Sequence, residues 1–336
     1  MQKIADLAGV SRATVSRVLC DPAKVKPETR EVIQNIMDEF GYTYHAGAAE
    51  LIKRRTSIIG LIIPTVLSSA FSNTILAVQE AAIELGMSLI LGCAEFDVDK
   101  EEAILQQFLA RRVAGVIMIG HAEQNEQLIL KLQRSGIPSV IIWTTPASPH
   151  LCEAGFDNIA SAKKAVDYLL DMGHKRIAII CGPVDGARRV VDRRRGYEEA
   201  LRGRGIPVDQ RYLRSTIPTI TNGEVETMSL LNVTPRPTAV FAASDMLAIG
   251  CLSAARKAGL SVPRDLSVIG FDGIDFSAHT DPPLTTVAVP EKEMSRMAIH
   301  LLKQLINKEI TPPKSYCLET ELIVRKSCAP PAPDAE

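Results

Sequence analysis

The sequence predicts a small all-α helix-turn-helix head followed by a two-lobed α/β core. Residues 1–43 hold three short amphipathic helical patterns with no strand-like run between them. From Ser57 onward, continuous apolar runs alternate with helical patterns, which is typical of parallel sheets flanked by helices on both faces. The chain has 336 residues, of which 46% are hydrophobic and 23% are charged. This length and composition suit a globular protein of two or three domains.

Residues 1–19 have the pattern of a helix-turn-helix. Apolar residues recur at helical spacing and are interrupted by Gly9-Val10-Ser11, which predicts a tight turn and a new N-cap at Ser11. A second helix from about Arg12 to Leu19 would turn Val15 and Val18 inward. The outer face would then carry Arg12, Ala13, Thr14, Ser16 and Arg17. A helix face of this chemistry is typical of one that lies in a DNA groove.

A third helix and a connector complete the predicted head. Pro27 stands at the first turn of the helix and Gly41 ends it. Its predicted apolar stripe consists of Val32, Ile33, Ile36, Met37 and Phe40. In the connector, Gly47 costs up to about 1 kcal/mol relative to Ala, and so short a helix is unstable alone. We therefore predict a DNA-binding domain over residues 1–43, followed over residues 44–56 by a linker that is helical only when something else orders it.

Seven strand-like runs and seven helical patterns alternate after residue 57. The predicted strands are 58–64, 88–93, 115–120, 139–143, 176–182, 239–244 and 266–272. The predicted helices are 73–85, 99–111, 124–135, 159–172, 194–204, 222–231 and 245–258. The second half repeats the first in style, which predicts two similar lobes. Residues 329–336 are rich in proline and are predicted to be disordered.

Several classes of function lack their signatures in this sequence. The phosphate-binding and dinucleotide-binding loops are absent, as is the GxSxG motif of hydrolases. The six histidines and seven cysteines show no metal-ligand spacing. We therefore predict no catalytic residue, no metal and no cofactor. No apolar run suggests a signal peptide or a membrane span, and the odd number of scattered cysteines suggests reduced thiols, so a cytoplasmic protein without membrane contact is expected.

Polar side chains stand at the predicted carboxyl ends of the strands, where open α/β sheets bind ligands. Asp272 can accept hydrogen bonds from a ligand, with a hinge or N-cap role as the alternative. Arg193 can form a two-pronged contact with ligand oxygens, although most of the nearby arginines suit a solvated helix face. Asp245 is predicted to be an N-cap. Trp143 and Phe71 are predicted core residues, with stacking on a ligand as the alternative.

Eight segments of the chain together resemble the LacI/GalR family of bacterial transcriptional regulators. They are IADLAGVSRATVSRVL (4–19), VKPETREVIQNIMDEFGY (25–42), IIGLIIP (58–64), GHKRIAIICG (173–182), RRGYEEAL (194–201), SDMLAIG (244–250), GLSVPRDLSVIGFDG (259–273) and PPLTTV (282–287). The resemblance covers nearly the whole chain in the same order. It implies a homodimer that binds pseudo-palindromic operator DNA, a hinge helix within residues 44–56, and a core like that of periplasmic sugar-binding proteins.

The resemblance also assigns DNA contacts to individual residues. Arg12 and Ala13 occupy positions that face base edges, where arginine suits guanine and alanine suits a thymine methyl. Phosphate and groove-wall contacts are expected from Ser11, Thr14, Ser16 and Arg17. In the hinge helix, Leu51 matches the leucine that enters the minor groove at the operator centre, and Ala48 lies on the same helix.

The effector is expected to bind between the two lobes of a core over residues 57–328. By the resemblance, Phe71 and Ser72 face it from one lobe, and Arg193, Ser244 and Asp272 face it from the other. One lobe is expected to comprise about 57–157 with 288–318, and the other 158–287 with 319–328.

Two departures from the family leave the ligand class open. Thr65 replaces a frequent Asp, and Pro218 stands where an aromatic residue often closes the pocket. Five arginines between residues 188 and 195 favour an acidic or phosphorylated sugar, while a neutral sugar remains open.

We therefore predict a transcriptional regulator, specifically a repressor controlled by a small-molecule effector. One alternative is a periplasmic-type solute-binding protein, which would need a signal peptide and would not need residues 1–56. The other is a cytoplasmic sugar-processing enzyme, which would need a phosphate or dinucleotide loop.

Overall fold

The computed structural model describes residues 1–20, 22–42, 56–120, 125–183 and 188–332, which fall into two compact units. The first unit spans Met1–Ser57 and the second spans Ile58–Glu336. Residues 43–55 lie outside the described part of the chain, so the expected hinge helix with Ala48 and Leu51 cannot be placed.

The first unit consists of three helices, α1 (Gln2–Leu7), α2 (Arg12–Cys20) and α3 (Pro27–Glu39). They pack around a small core of Ile4, Ala5, Val15, Val18, Ile33 and Met37. The helix order and the inward-facing valines agree with the sequence pattern. Val32 and Phe40 were expected in the apolar stripe of α3, but they are 49% and 48% exposed, because a core this small covers only one narrow side of the helix.

The second unit contains two six-stranded sheets and eight helices within the described ranges. The strands are β1 (Ile58–Ile63), β2 (Ser88–Cys93), β3 (Gly115–Ile119), β4 (Ser139–Ile142), β5 (Cys152–Phe156), β6 (Ile177–Cys181), β7 (Leu213–Ser215), β8 (Ala239–Ala242), β9 (Ser267–Asp272), β10 (Thr285–Ala288), β11 (Ser315–Leu318) and β12 (Glu321–Ile323). The helices are α4 (Ser69–Glu84), α5 (Val98–Arg111), α6 (Glu126–Arg134), α7 (Asn158–Asp171), α8 (Arg188–Gly203), α9 (Ile220–Leu231), α10 (Asp245–Lys257) and α11 (Glu291–Ile306).

Each sheet has a doubly wound order. The first sheet runs β11-β5-β4-β3-β1-β2 and its paired strands are all parallel. The second runs β12-β10-β9-β8-β6-β7 and is parallel except for the pairing of β10 with β12. The expected α/β core of parallel sheets and helices is therefore confirmed. In both sheets the strand order reverses beside the first strand, β1 or β6, and ligands bind at the carboxyl ends of strands at such a point.

The chain crosses between the sheets after β5, after β10 and after β11. We call the strands β1–β5 and β11 with their helices the first lobe, and β6–β10 and β12 with theirs the second lobe. Helix α11 belongs to the first lobe because it packs against β3, β4, β5 and α4. Each lobe is consequently built from two separate parts of the chain.

All seven strands that the apolar runs predict are present, with ends within two residues of the predicted ones. Strands β5, β7, β10, β11 and β12 were not predicted, because they are three to five residues long and several carry polar residues. Helix α11 was missed although its apolar stripe is regular. Helix α8 begins at Arg188 and not at 194, because its first turns bury Arg189, Asp192 and Arg193 and so lack an apolar period.

Two further observations concern the ends and surfaces of the chain. Ala329 is an exception to the predicted disorder of the tail, since its carbonyl accepts a hydrogen bond from Ser267 Oγ at 2.9 Å and its N–H donates to the same hydroxyl at 3.0 Å. None of the helices in the described ranges is long and apolar enough to cross a membrane.

Helices α7 and α8 approach each other closely at Gly196. A Cβ atom there would lie 2.3 Å from the carbonyl oxygen of Ile159 and 2.9 Å from Cβ of Ala162. We expect Gly196→Ala to lower the free energy of unfolding by about 1–3 kcal/mol, because the two helices must separate to admit the methyl group. Urea unfolding followed by circular dichroism measures this change.

Gly203→Ala is the matched control, because Gly203 is the last residue of the same helix and has no heavy atom within 4 Å of its Cβ position. Its substitution is expected to be neutral or to stabilise by up to about 1 kcal/mol. Equal losses in the two variants would show that close packing at Gly196 is not the cause.

Candidate functional site

The turn before α2 is organised by Gly9 and Ser11. Gly9 has a φ of +62°, a left-handed conformation that favours glycine. The N–H of Thr14 donates to Oγ of Ser11 at 3.1 Å, and the two hydroxyls are 2.9 Å apart. The predicted N-cap at Ser11 is therefore present, and it fixes where α2 begins.

The outer face of α2 is polar and accessible. Ser11, Arg12, Ala13 and Arg17 are exposed, and Thr14 and Ser16 are half-buried. On the opposite side, Val15 is 0% and Val18 is 6% exposed. The side chains expected to contact DNA thus share the solvent side of α2, where two guanidinium groups and three hydroxyls can meet phosphates and base edges.

A cleft lies between the two lobes at the carboxyl ends of their strands. The first lobe contributes Thr65, Ser68 and Phe71, which follow β1. The second lobe contributes Arg193 from α8, Ser244 after β8 and Asp272 at the end of β9. Four of the five residues expected to face an effector are therefore brought together at this cleft.

Ser72 is the fifth expected residue, and the structure does not bring it into this cleft. Its hydroxyl instead donates to the carbonyl of Val66 at 3.1 Å or of Ser68 at 3.2 Å, on the outer side of the start of α4. Ser68 lines the cleft in its place. Helix α4 begins at Ser69, so Ser68 is the residue directly before the helix, whereas Ser72 lies one turn further on.

Arg193 is held in the cleft by a buried hydrogen-bond network. Its Nε donates to Oδ1 of Asn158 at 2.9 Å, and its Nη1 donates to the carbonyl of Ala243 at 2.8 Å and to Oδ1 of Asp272 at 3.3 Å. Its guanidinium carbon lies 3.8 Å from the centroid of the Phe271 ring, in cation–π distance. Burial lowers the pKa of Arg193, and Asp272 opposes this shift.

Asp272 occupies an unusual backbone conformation at the edge of the cleft. Its φ of +116° lies in a region that residues with a side chain rarely adopt, and such strain often marks a functional site. Burial raises the pKa of Asp272, while Arg193 and the Ser244 hydroxyl oppose the shift. The carboxyl group of Asp272 therefore faces ligand space with both a cation and a hydroxyl beside it.

Asp245 stabilises this backbone conformation of Asp272. Its predicted role as an N-cap is wrong. The N-cap of α10 is Ser244, and Asp245 is the first helical residue. Oδ2 of Asp245 accepts the N–H groups of Gly273 and Ile274, each at 2.9 Å, and Oδ1 accepts the hydroxyl of Thr286 at 2.6 Å. Asp245 thus positions the two residues that follow Asp272.

The aromatic residues divide between the core and the cleft. Trp143 is fully buried, and its Nε1 donates to Oγ1 of Thr74 at 3.2 Å, as expected of a core residue. Phe71 is half-buried, packs edge-on against Trp143 at 5.2 Å between ring centroids, and forms part of the cleft wall. Of the two aromatic residues, Phe71 lines the cleft and Trp143 does not, so stacking on a ligand stays a prediction for Phe71 alone.

Two more residues belong to the cleft region: Asn158, which the sequence did not indicate, and Arg189, one of the five arginines between residues 188 and 195. Nη1 of Arg189 donates to the carbonyl of Ile119 in the first lobe at 3.2 Å, which makes it a link between the lobes. Nδ2 of Asn158 donates to the carbonyl of Trp143 at 3.3 Å. The spacing of four residues between Arg189 and Arg193 was the available signal, because it places both on one helix face.

Within the described residues, no group of three or more histidine, cysteine, aspartate or glutamate side chains is arranged to hold a metal ion. The cleft offers a guanidinium, a carboxyl and hydroxyl groups around an apolar wall. Such an arrangement can recognise a polyhydroxylated ligand by hydrogen bonding.

Asp245 is expected to make stability depend on pH. Burial and the neighbouring Asp272 raise its pKa from 3.8 to about 8. The folded protein then keeps a proton that the unfolded chain has released, so stability falls as the pH rises from about 4 to about 8. Asp245→Asn resembles the protonated acid, and we expect the variant to gain stability relative to the wild type over this range, by at most about 1.4 kcal/mol per pH unit.

Melting temperatures measured across this pH range for the wild type, Asp245→Asn and the exposed control Asp281→Asn test this prediction. Parallel curves for the wild type and Asp245→Asn would contradict a protonated Asp245.

Comparison with known proteins agrees with these geometries. Residues 1–44 match the model of bacterial regulatory proteins of the lacI family, and residues 166–328 match a periplasmic binding protein-like domain. The chain is 34% identical over 327 residues to the HTH-type transcriptional repressor CytR of Escherichia coli K12, a match covering 97% of this chain and 95% of CytR.

Solved structures of related regulators show the same fold. The lac repressor dimer bound to operator and the anti-inducer ONPF is 26% identical and matches with a TM-score of 0.86, covering 97% of this chain and 98% of that one. The complex of the transcriptional regulator CelR with cellobiose is 31% identical, with a TM-score of 0.74 and coverage of 96% and 98%. The chain therefore belongs to the LacI family of bacterial regulatory proteins, and it is a DNA-binding transcriptional regulator and not an enzyme.

Proposed function

We propose that this regulator is a homodimeric repressor whose affinity for operator DNA is set by a small molecule bound between its two lobes. The observation that carries the proposal is the buried pair of Arg193 and Asp272, which opens into a cleft between lobes in a chain that also carries an exposed recognition helix. The alternative of a solute-binding protein leaves that helix without a role.

Operator recognition is assigned to α2 and to the segment that follows the head. Arg12 and Ala13 would face base edges, and phosphates and the groove wall would be contacted by Ser11, Thr14, Ser16 and Arg17. The exposure of this face and the cap at Ser11 support the assignment. Ala48 and Leu51 would contact the minor groove, an assignment that depends on the family resemblance alone.

The effector would be held by side chains of both lobes. Arg193 and Asp272 would bind its hydroxyl or acidic oxygens, Ser244 would add a hydroxyl, and Phe71 would pack against its apolar face. Ser68 takes the position expected of Ser72. A sugar, sugar acid or sugar phosphate suits this combination, and the cellobiose complex of CelR is a related precedent.

Binding in the cleft would change the relative arrangement of the lobes, and in a dimer this change would alter whether the paired hinge segments fit the operator. The coupling must act in both directions, so operator DNA changes the effector affinity by the same factor.

We infer the domain division from the same architecture, with a head over 1–43, a hinge over 44–56 and a core over 57–328.

Exposed apolar side chains support a homodimer. Leu76 and Ile83 on α4 are 58% and 64% exposed, and Val225 on α9 is 59% exposed. Apolar side chains exposed on a helix in this way are typical of surfaces that a partner covers. A homodimer places two recognition helices on a pseudo-palindromic operator, and such a regulator would work in the cytoplasm, where the DNA is.

Asp272→Asn is expected to weaken the effector response and to leave operator binding by the unliganded dimer unchanged. Loss of charged hydrogen bonds costs about 1.5–3 kcal/mol, which corresponds to an affinity lower by roughly 10- to 100-fold. A thermal-shift screen of sugars, sugar acids and sugar phosphates identifies a ligand, and fluorescence anisotropy with labelled operator then measures both affinities. The exposed Asp275→Asn is the control. If both variants kept the wild-type effector affinity, the assignment of Asp272 would be wrong.

Leu51→Ala is expected to weaken specific operator binding by roughly 10- to 100-fold, because a leucine inserted between base steps buries most of its side chain. Binding to non-operator DNA should stay within about twofold of the wild type, since it depends on phosphate contacts. Anisotropy titrations at several salt concentrations separate the two. An equal loss on both kinds of DNA would contradict the wedge.

A further inference from the structure

The charges that line the cleft are not balanced. Arg193 is paired with Asp272, whereas none of the ion pairs among the described residues includes Arg189. Arg189 is only 6% exposed and lines the cleft, and its guanidinium donates a hydrogen bond to the uncharged carbonyl of Ile119. Among the described residues, the charged ones that line the cleft are Arg189, Arg193 and Asp272, so two buried cations face it with one carboxylate.

Among the described residues, the carboxylates of Glu101 and Asp272 attract the guanidinium of Arg189, but at a longer range than an ion pair. Its central carbon is 5.9 Å from the centroid of the Phe71 ring, at the outer limit of a cation–π contact. Burial and the neighbouring Arg193 lower its pKa to about 10, so it remains a cation at neutral pH. A buried charge that lacks an ion pair is costly, and an anionic ligand in the cleft would supply the ion-pair partner that Arg189 lacks among the described residues.

The fold makes room for this cation. Gly120 ends β3 with a φ of +64°, and a Cβ atom there would lie 2.5 Å from Nη1 of Arg189. Any other residue at position 120 would therefore push the guanidinium out of its place beside Ile119. Helix α8 also aligns Arg189 with Arg193, one turn apart, so both groups are directed to the same side of the helix.

We propose that the effector is an anion, a small polyhydroxylated molecule with a carboxylate or phosphate group, and that Arg189 is the residue that selects its charge. This inference rests on the proposed effector site and deepens it. The guanidinium of Arg189 would bind the anionic group, the Arg193–Asp272 pair would bind hydroxyl groups, and Phe71 would cover the apolar face of the ring. A neutral sugar would leave Arg189 without an ion-pair partner among the described residues.

The test compares the full-length protein with three variants. Arg189→Met keeps the length of the side chain without its charge, and Arg189→Lys keeps the charge. Arg195→Met is the matched control, because Arg195 lies on the same helix with its side chain 63% exposed. Melting temperatures are measured at constant ionic strength with inorganic phosphate, D-glucuronate, D-glucose 6-phosphate and D-glucose as probes.

We expect inorganic phosphate and at least one of the two acidic sugars to raise the melting temperature of the wild type and of Arg195→Met by about 3 °C or more. The shift should fall to less than half in Arg189→Met and be largely retained in Arg189→Lys, while glucose should leave all four proteins unchanged. Glucuronate and glucose 6-phosphate distinguish a carboxylate from a phosphate. Equal phosphate shifts in the wild type and Arg189→Met would overturn the inference, as would a glucose shift larger than those of the acidic sugars.

An operator-release assay separates this inference from the proposed function. Release of operator by a neutral sugar at equal concentrations from the wild type and Arg189→Met would refute the anionic effector and keep the regulator. Anion binding that depends on Arg189 but does not change operator affinity would keep the charge selection and refute control by this cleft.

Discussion

The guanidinium of Arg193 is the group on which the cleft depends. It is buried, so its charge is tolerated only because Asn158, the carbonyl of Ala243 and Asp272 surround it with acceptors. Asn158 in turn donates to the carbonyl of Trp143 in the first lobe, which extends the network across the junction of the lobes. The group proposed to bind a ligand is therefore also part of the network that connects the two lobes, so ligand binding there would act directly on their relative position.

Asp245 supports the cleft residues indirectly. It does not line the cleft, but its carboxyl group accepts the N–H groups of Gly273 and Ile274 and so keeps Asp272 in its strained conformation. Gly270 lies beside it, where a Cβ atom would be 2.1 Å from Oδ1 of Asp245. Strain at a binding residue persists only when its surroundings hold it, and here a second acidic residue does so.

Much of this architecture follows from the sequence, and the remainder does not for identifiable reasons. The buried strands were predicted to within two residues because their apolar runs have no other stable place than a sheet covered on both faces. The start of α8 was not predicted, because the inward-facing residues there are Arg189 and Arg193, so the sequence has no apolar periodicity in these turns. The role of Asp245 depends on a loop nearly thirty residues away, which local capping preferences do not include. Whether Ser68 or Ser72 lines the cleft depends on the residue at which α4 begins, and sequence patterns define the ends of helices poorly.

The three crossings of the chain between the lobes affect how the protein is made. Strand β11 pairs with β5, and α11 packs on the same sheet, so the lobe that starts at Ile58 is finished only when Leu318 has been added. The second sheet is likewise complete only after the synthesis of β12, which ends at Ile323. The ribosome therefore synthesises nearly the whole polypeptide before either lobe has its complete sheet. The three helices of the head, in contrast, are synthesised first. Translation that stops early therefore leaves the three helices of the head attached to a core in which neither sheet is complete.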